Sequence, residues 1–188
     1  KFMKYCYSLL VLVLCLQVAF ANDRDMFLLK PVVTKLYMPA TAKAEKSQVT
    51  HVVVEKAARK LFLMNGSIAL REYRIALGKN PVGQKQQEGD SRTPEGNYVL
   101  DWRNPASRFF RSLHVSYPSP EQADRAKRSG INPGGEIMIH GQPSSWIERI
   151  HLGFDRSDWT EGCIAVENQD ILEIWSMVAD GTPITIRP

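Results

Sequence analysis

The chain has 188 residues, of which 44% are hydrophobic, and its 24 Lys and Arg against 20 Asp and Glu give a formal net charge of +4. This length allows one domain with a proper hydrophobic core and is too short for two ordinary domains. No run of Lys or Arg interleaved with aromatic residues follows the first few positions. The composition therefore does not indicate a nucleic-acid partner.

The first 21 residues are typical of a secretory signal peptide. Two lysines precede an apolar stretch from Ser8 to Phe20, and Ala19 and Ala21 supply small residues at the −3 and −1 positions of a cleavage site. The apolar stretch is short for a transmembrane helix, which needs about 20 residues. We therefore expect residues 1–21 to direct export, with a membrane anchor as the alternative.

The remainder of the chain predicts a mainly β domain. Residues 22–47 contain short apolar clusters broken by prolines, which indicates an N-terminal arm and linker. Strands are predicted in chain order over residues 49–55, 60–64, 68–77, 96–102, 112–117, 136–140 and 184–186. A hairpin turn is expected at Asn65-Gly66 and a long loop over residues 78–94. Helices are predicted at 120–128 and 168–179, the second with Asn168 as its N-cap. This order lacks βαβ alternation, so residues 48–188 are expected to form a β sandwich or barrel with one or two helices.

Cys163 is the one cysteine outside the predicted signal peptide, because Cys6 and Cys15 lie within it. In an oxidising compartment this thiol has no intramolecular disulfide partner, so it is either a buried apolar side chain or a reactive group. Gly162 before it would allow close backbone approach, and N–H groups near the start of the predicted helix could hold an oxyanion. These local features favour a reactive thiol.

Two histidines could act as the general base for this thiol. His140 ends an apolar predicted strand that would hold its ring rigidly, and His151 lies nearer to the cysteine in sequence. Periodicity does not choose between them. His51 is better explained as a satisfied strand residue, whereas His114 alternates with apolar neighbours and is predicted to point away from the core or to line a cleft.

The residues around these positions resemble the catalytic signature of the L,D-transpeptidase (YkuD-domain) family. That signature is a His-Gly at a strand end, a variable loop, and Ser/Thr-X-Gly-Cys, which correspond here to His140-Gly141 and Thr160-Glu161-Gly162-Cys163. The stretch Arg92-Thr93-Pro94-Glu95-Gly96 resembles a second segment of the family. The resemblance extends over roughly residues 49–187. It points to a divergent branch of murein L,D-transpeptidases and hydrolases that includes enzymes releasing wall-attached lipoprotein.

The resemblance implies a periplasmic cysteine acyltransferase that acts on peptidoglycan stem peptides and needs no metal or organic cofactor. Cys163 would attack the carbonyl of the third stem residue, His140 would carry the proton, and the carbonyl of Gly141 would orient the ring. The acyl group would pass to an amine, forming a 3-3 crosslink or attaching a lipoprotein, and carbapenems would acylate the thiol. Four further residues are expected to bind the oxyanion or the substrate: Gly162, Thr160, Arg92 and His151.

Three departures from the family pattern affect these expectations. Glu161 stands where a histidine is common, and its charge would raise the pKa of the thiol unless it points to solvent. Ala165 replaces a common arginine and so removes a cation that could hold a stem carboxylate. The loop over residues 142–159 is longer than usual and contains several aromatic residues. Packing of the loop explains these aromatic residues better than a lid over the site does.

Two alternatives remain open at this point. The same site could use water as the acceptor, as an L,D-carboxypeptidase or a peptidoglycan–lipoprotein amidase, because cleft shape and not the reactive residues selects the acceptor. A non-catalytic cell-wall-binding module is the other alternative. The presence of both Cys163 and His140 counts against it.

Overall fold

The computed structural model describes residues 48–143, 145–151 and 158–188. The predicted signal peptide (1–21) and the predicted arm (22–47) lie outside these residues. Within the described ranges, none of the helices has the length and apolar character needed to cross a membrane.

The described residues form one eight-stranded sheet with three helices. The strands are β1 (His51–Glu55), β2 (Lys60–Asn65), β3 (Ile68–Arg74), β4 (Gly96–Ser107), β5 (Phe110–Val115), β6 (Met138–His140), β7 (Ile164–Ala165) and β8 (Thr182–Arg187). The helices are α1 (Pro120–Arg128), α2 (Trp146–His151) and α3 (Asn168–Met177). The strand order is β3-β2-β1-β8-β4-β5-β6-β7. The predicted mainly β fold class is confirmed.

The two outer strands of this order are brought together at one point. Ala76, just after β3, pairs with Ala165 of β7 through two backbone hydrogen bonds of 2.8 Å. This bridge joins the two edges of the sheet near the end of β7, as in a partly closed barrel. Closure therefore occurs directly beside the predicted reactive cysteine.

The core lies on the face of the sheet that α3 covers. The β-branched run of β1 is fully buried at Val52 and Val54, and β1 pairs in parallel with β8. The helix contributes Ile171 and Ile174, both fully buried. Apolar alternation along short strands thus predicts most of this core correctly.

The β2–β3 hairpin is confirmed, but its turn lies one residue later than predicted. Asn65 pairs with Ile68, so the two loop residues are Gly66 and Ser67. Gly66 has a φ of +58°, a left-handed conformation that glycine adopts readily. The preferred conformation of the glycine determines where the chain reverses.

Strand β4 is longer than the sequence predicted. It continues from Gly96 to Ser107 and turns back through Arg108 and Phe109 into β5, although Pro105 would ordinarily end a strand. Two irregularities in its register with β5 accommodate the extra residues. The long β4–β5 hairpin brings Phe109 to the end of β6.

The N-cap predicted for α3 is wrong. Glu167 occupies that position and makes no side-chain capping hydrogen bond. The side chain of Asn168 instead accepts a 2.7 Å hydrogen bond from the backbone N–H of Gln142. This tertiary contact holds the segment after β6 and outweighs the local capping preference.

Candidate active site

Strands β6 and β7 are parallel and bring the two signature motifs together. Ile139 pairs with Ile164, and His140 pairs with Ala165. Both isoleucines are fully buried in the core, so alternation directs His140 and Met138 to the opposite face. Cys163 directly precedes β7 and therefore lies beside Met138, two residues along the strand from His140.

The His140 ring is enclosed by aromatic side chains. It is 2% exposed, stacks on Phe109 with ring centroids 4.5 Å apart, and meets Trp159 edge-on at 5.6 Å. Its burial lowers the pKa of the imidazole to about 4. The ring is consequently neutral at physiological pH.

The tautomer of this neutral ring follows from one hydrogen bond. Nδ1 of His140 lies 2.7 Å from the carbonyl oxygen of Gly141. A carbonyl can only accept, so Nδ1 carries the proton and Nε2 keeps its lone pair. Nε2 is therefore the ring nitrogen that can accept a proton.

Gly141 is required by crowding around its α-carbon. A Cβ at this position would lie 2.5 Å from Oδ1 of Asn168 and 3.1 Å from the carbonyl oxygen of Phe109. A side chain would push the helix start and the hairpin tip apart, and both of these position the histidine. Close packing around this α-carbon thus explains why glycine occupies the second position of the His-Gly motif.

Cys163 is partly exposed, and its sulfur rests against the start of β6. Sγ lies 3.6 Å from the carbonyl oxygen of Glu136. Desolvation raises the pKa of the thiol to about 11, although the nearby Lys85 charge acts in the opposite direction. The resting site therefore combines a neutral thiol with a neutral imidazole.

Thr160 ties together the turn that precedes the cysteine. Its Oγ1 donates to the carbonyl oxygen of Cys163 at 2.8 Å and accepts from the N–H of Gly162 at 3.1 Å. The N–H of Gly162 is thus already bonded, which counts against its predicted place in the oxyanion hole. Thr160 holds the shape of the turn in this structure.

Gly162 is needed for a different reason from the one the sequence suggested. Its φ is +129°, and a Cβ there would lie 2.7 Å from the carbonyl oxygen of Arg92. Residues 78–96, which lead into β4 and which we call the 78–96 loop, thus pass close to the backbone of Gly162. The two family motifs meet at this contact.

The side chain of Arg92 lies within the 78–96 loop. Its backbone N–H donates to Asp90 at 3.0 Å, and Nη1 donates to the carbonyl oxygen of Gln84 at 3.3 Å. Nε is buried and has no hydrogen-bond partner among the described residues. Arg92 therefore shapes the loop beside the thiol, and its predicted role in substrate binding stays a prediction.

Two buried lysines that the sequence analysis missed anchor this loop. Lys56 is 2% exposed, pairs with Glu95 at 2.7 Å, and also donates to the carbonyl oxygens of Gly83 and Thr93. Lys85 pairs with Asp90 at 2.8 Å. Lysine is rarely buried unless it is paired, and no local pattern marks these two as clamps.

The carboxylate of Glu161 does not raise the pKa of the Cys163 thiol, which is the effect that its position in the sequence suggested. Its carboxylate contacts Lys79 and accepts a hydrogen bond from Ser91, and these partners lower its pKa. Glu161 is not among the groups that shift the pKa of Cys163. The exposed pair thus joins the cysteine turn to the 78–96 loop.

His151 is the last residue of α2, and its side chain lies outside the described part of the structure. Its predicted substrate-binding role stays a prediction. Trp159, which we assigned to packing of the long loop, is 3% exposed and contacts both Phe109 and His140. Phe154 lies outside the described residues.

A cleft of about 800 Å³ opens next to Ala165 and is lined by neither Cys163 nor His140. Its charged lining residues are Arg59, Glu72, Arg74, Asp158, Glu167 and Asp170. Ala165 is two residues beyond the cysteine, about 7 Å along an extended chain. The cleft therefore begins two residues along the chain from Cys163, and residues of both charges line it.

Known proteins are similar to this chain in sequence and in fold. The YkuD family, described as the L,D-transpeptidase catalytic domain, matches residues 49–186. YafK of Escherichia coli (strain K12) is 33% identical over 112 residues, which cover 58% of this chain and 37% of YafK.

Two solved structures are also similar. Pgp2 of Campylobacter jejuni, a helical cell shape determining protein, aligns with a TM-score of 0.55 and 25% identity over 74% of this chain and 47% of Pgp2. Bd1075 of Bdellovibrio bacteriovorus aligns with a TM-score of 0.50 and 24% identity over 77% of this chain and 52% of Bd1075. The chain thus spans between 37% and 52% of the length of these relatives. Because the family match covers most of its residues, the chain belongs to the YkuD family of L,D-transpeptidase catalytic domains.

Proposed function

We propose that this chain is a periplasmic cysteine acyltransferase that carries out L,D-transpeptidation on peptidoglycan stem peptides. The observation that carries the proposal is the 2.7 Å hydrogen bond from Nδ1 of His140 to the carbonyl of Gly141. That bond leaves the lone pair of Nε2 available as a base. His140 lies on β6, which pairs with β7, and Cys163 directly precedes β7 on the same face of the sheet. Export rests on the signal-peptide pattern of residues 1–21.

In the first half-reaction the thiol attacks the carbonyl between the third stem residue and the terminal D-Ala. Because the pKa of Cys163 is about 11, the thiol proton moves to Nε2 of His140 as the C–S bond forms. We assign the oxyanion to the N–H of Cys163, since the N–H of Gly162 is bonded to Thr160. The C–N bond then breaks, and His140 returns the proton to the departing amine of D-Ala.

In the second half-reaction an amine of another stem attacks the thioester. His140 takes a proton from that amine, a new amide forms, and the thiol is released. The cleft beside Ala165 supports an amine acceptor, because Glu167 and Asp170 would attract an ammonium group and Arg74 a carboxylate. Water at the same position would give hydrolysis by the same residues.

The deciding experiment is mass spectrometry of tetrapeptide muropeptides incubated with the purified protein. Crosslinked dimers would establish the transfer reaction, whereas tripeptides alone would establish hydrolysis. Lipoprotein peptides freed from, or joined to, muropeptides would show that a wall-linked lipoprotein is a substrate. Conversion of no muropeptide and no lipoprotein conjugate would leave the non-catalytic binding module as the better description.

Covalent inhibition supplies an independent test of the thiol. A carbapenem is a strained amide that the proposed thioacylation would open, which adds its full mass to Cys163. We expect one adduct on the intact protein and none on the Cys163→Ala variant. An unmodified wild-type protein after long exposure would contradict an open acyl-binding site.

A further inference from the structure

A stacked aromatic pair lies on the face of the sheet opposite the core. The rings of Trp102 and His114 have centroids 4.8 Å apart and an interplanar angle of 17°. Leu113 and Val115, the neighbours of this histidine in β5, are fully buried, so alternation directs His114 away from the core. Trp102 is 41% exposed, and its indole presents a flat apolar surface to solvent.

A β-bulge in β4 creates this arrangement. The register passes from Leu100 opposite Val115 to Arg103 opposite Leu113, so that both Asp101 and Trp102 lie opposite His114. A bulge of this kind redirects side chains and is common next to active sites. The bulge thus places the carboxylate of Asp101 and the indole of Trp102 beside His114.

Asp101 fixes the histidine and adds a charged acceptor. Its Oδ1 lies 2.7 Å from Nδ1 of His114, and because a carboxylate can only accept, Nδ1 donates. The side chain of Asp101 is 42% exposed, so its carboxylate is also open to solvent beside the indole. We call Asp101, Trp102 and His114 the aromatic platform.

The platform lies on the same face as the predicted nucleophile. His114 pairs with Met138 of β6, and Met138 is the residue beside Cys163. Neighbouring strands are about 4.8 Å apart, so the platform extends from about 10 Å to about 14 Å from the cysteine, measured across the strands. The aromatic platform and Cys163 therefore lie on the same face of the sheet.

The chemistry of the platform fits a pyranose ring. An aromatic face attracts the apolar C–H face of a sugar, and a carboxylate accepts hydrogen bonds from hydroxyl or amide N–H groups at the ring edge. A peptide in extended form would leave the flat indole only partly covered. The pairing of an exposed indole with an exposed carboxylate therefore favours a saccharide.

We propose that the aromatic platform binds the N-acetylated sugar that carries the stem peptide. The inference rests on the proposed function, in which the third stem residue is acylated onto Cys163. Three extended residues span about 10–11 Å, which reaches His114 at about 10 Å from the cysteine, and the sugar joined to the stem would lie beyond them, towards Trp102 at about 14 Å. The sugar end of a bound stem would thus reach Trp102 while the third carbonyl meets the thiol.

The test compares two ligands on a protein that cannot react. In the Cys163→Ala background, isothermal titration gives the Kd of a disaccharide tetrapeptide and of the free tetrapeptide. We expect the sugar-bearing ligand to bind about tenfold more tightly, and Trp102→Ala to remove most of that preference. Trp102→Phe keeps an aromatic face and should retain much of the preference.

Ile68→Ala is the matched control, because Ile68 is an exposed apolar residue of β3 far along the sheet order from the platform. It should leave the ratio of the two Kd values unchanged. Equal binding of the two ligands by the parent protein, or an unchanged ratio in a folded Trp102→Ala variant, would overturn the inference. Turnover is measured separately on the wild type, so a failure of the proposed function would be seen apart from a failure of the platform.

Discussion

The two segments that meet at Cys163 bury their polar groups in opposite ways. The 78–96 loop is held by buried lysines that each face a carboxylate, Lys56 with Glu95 and Lys85 with Asp90. The end of β6 instead encloses the imidazole of His140 between aromatic rings, and its contacts with the described residues include no opposite charge. The buried lysines of the loop, which must keep its shape, are thus paired with carboxylates. The described contacts of His140, which is proposed to carry a proton, include no charged group.

This difference has a physical cause. A buried charge is tolerated only with a partner, and a paired lysine then fixes several backbone groups at once. A base must gain and lose a proton during the reaction, and a permanent carboxylate partner would hold the imidazole in its charged form. We therefore expect the 78–96 loop, the charged segment, and the end of β6 with His140, the neutral segment, to respond differently to mutation and to pH.

The largest effect should come from removing the proposed nucleophile, Cys163. Cys163→Ala is expected to abolish conversion of tetrapeptide muropeptides, because no other described side chain replaces the thiol in the proposed mechanism. Product formation is measured by mass spectrometry, with circular dichroism as the check on folding. Residual turnover at the wild-type rate would remove the cysteine from the mechanism.

The base should have the next largest effect. His140→Gln is expected to lower kcat/KM by about 10²- to 10⁴-fold, the usual contribution of general-base catalysis. With the pKa of His140 at about 4 and that of Cys163 at about 11, the wild-type profile of kcat/KM should be flat between these limits. His151→Gln is the comparison variant. A larger loss at His151 would transfer the role of base to that residue.

The charged segment should respond in stability. Lys56→Met leaves Glu95 without its partner and should lower the free energy of unfolding by about 3–5 kcal/mol. Lys60→Met is the matched control, because Lys60 forms an exposed pair with Glu72 and exposed pairs contribute about 0–1 kcal/mol. Urea titration at pH 7 measures both. Equal losses in the two variants would contradict a clamp at Lys56.

Acid should destabilise the neutral segment before the charged one. The pKa of His140 is lower in the folded state, about 4 against 6.5, so its contribution is complete above pH 6.5 and is lost as the pH falls towards 4. The loss amounts to about 3 kcal/mol. Asp90, whose pKa is about 2, loses its contribution only below about pH 4.

Urea midpoints at pH 7, 5.5 and 4 test this order. The decrease over that range should be smaller in His140→Gln than in the wild type, because the variant has no buried imidazole to protonate. A decrease of the same size in both proteins would show that other groups cause the acid sensitivity.

The smallest effect is expected at the exposed contact between the two segments. Glu161→Gln should change the rate of thiol alkylation by less than about twofold, since the charge of Glu161 is already balanced by Lys79 and is screened by solvent. Iodoacetamide labelling across a pH series measures the pKa of the thiol. A pKa lowered by a full unit in this variant would show that Glu161 acts on the sulfur directly.

Sequence reasoning located seven of the eight strands and both motifs, but it missed β7, helix α2 and the side-chain contacts that hold the motifs in place. The apolar periods of β1, β2 and β8 and the glycine of the β2–β3 turn are local signals, and they predicted the corresponding elements. The clamp between Lys56 and Glu95 joins residues 39 positions apart and leaves no periodic trace. The use of Asn168 as a tertiary acceptor also overrode the capping role that its local sequence suggested.

By itself, the sequence determined the fold class, the family resemblance and the two reactive residue types, because each is encoded in a short or periodic stretch. It did not pair His140 with Cys163 by periodicity, and it missed both the Phe109 stack and the aromatic platform. Those features depend on the parallel register of β6 and β7, the length of the β4–β5 hairpin and a bulge at Asp101 and Trp102. Tertiary structure decided them because each joins groups that only the folded sheet brings side by side.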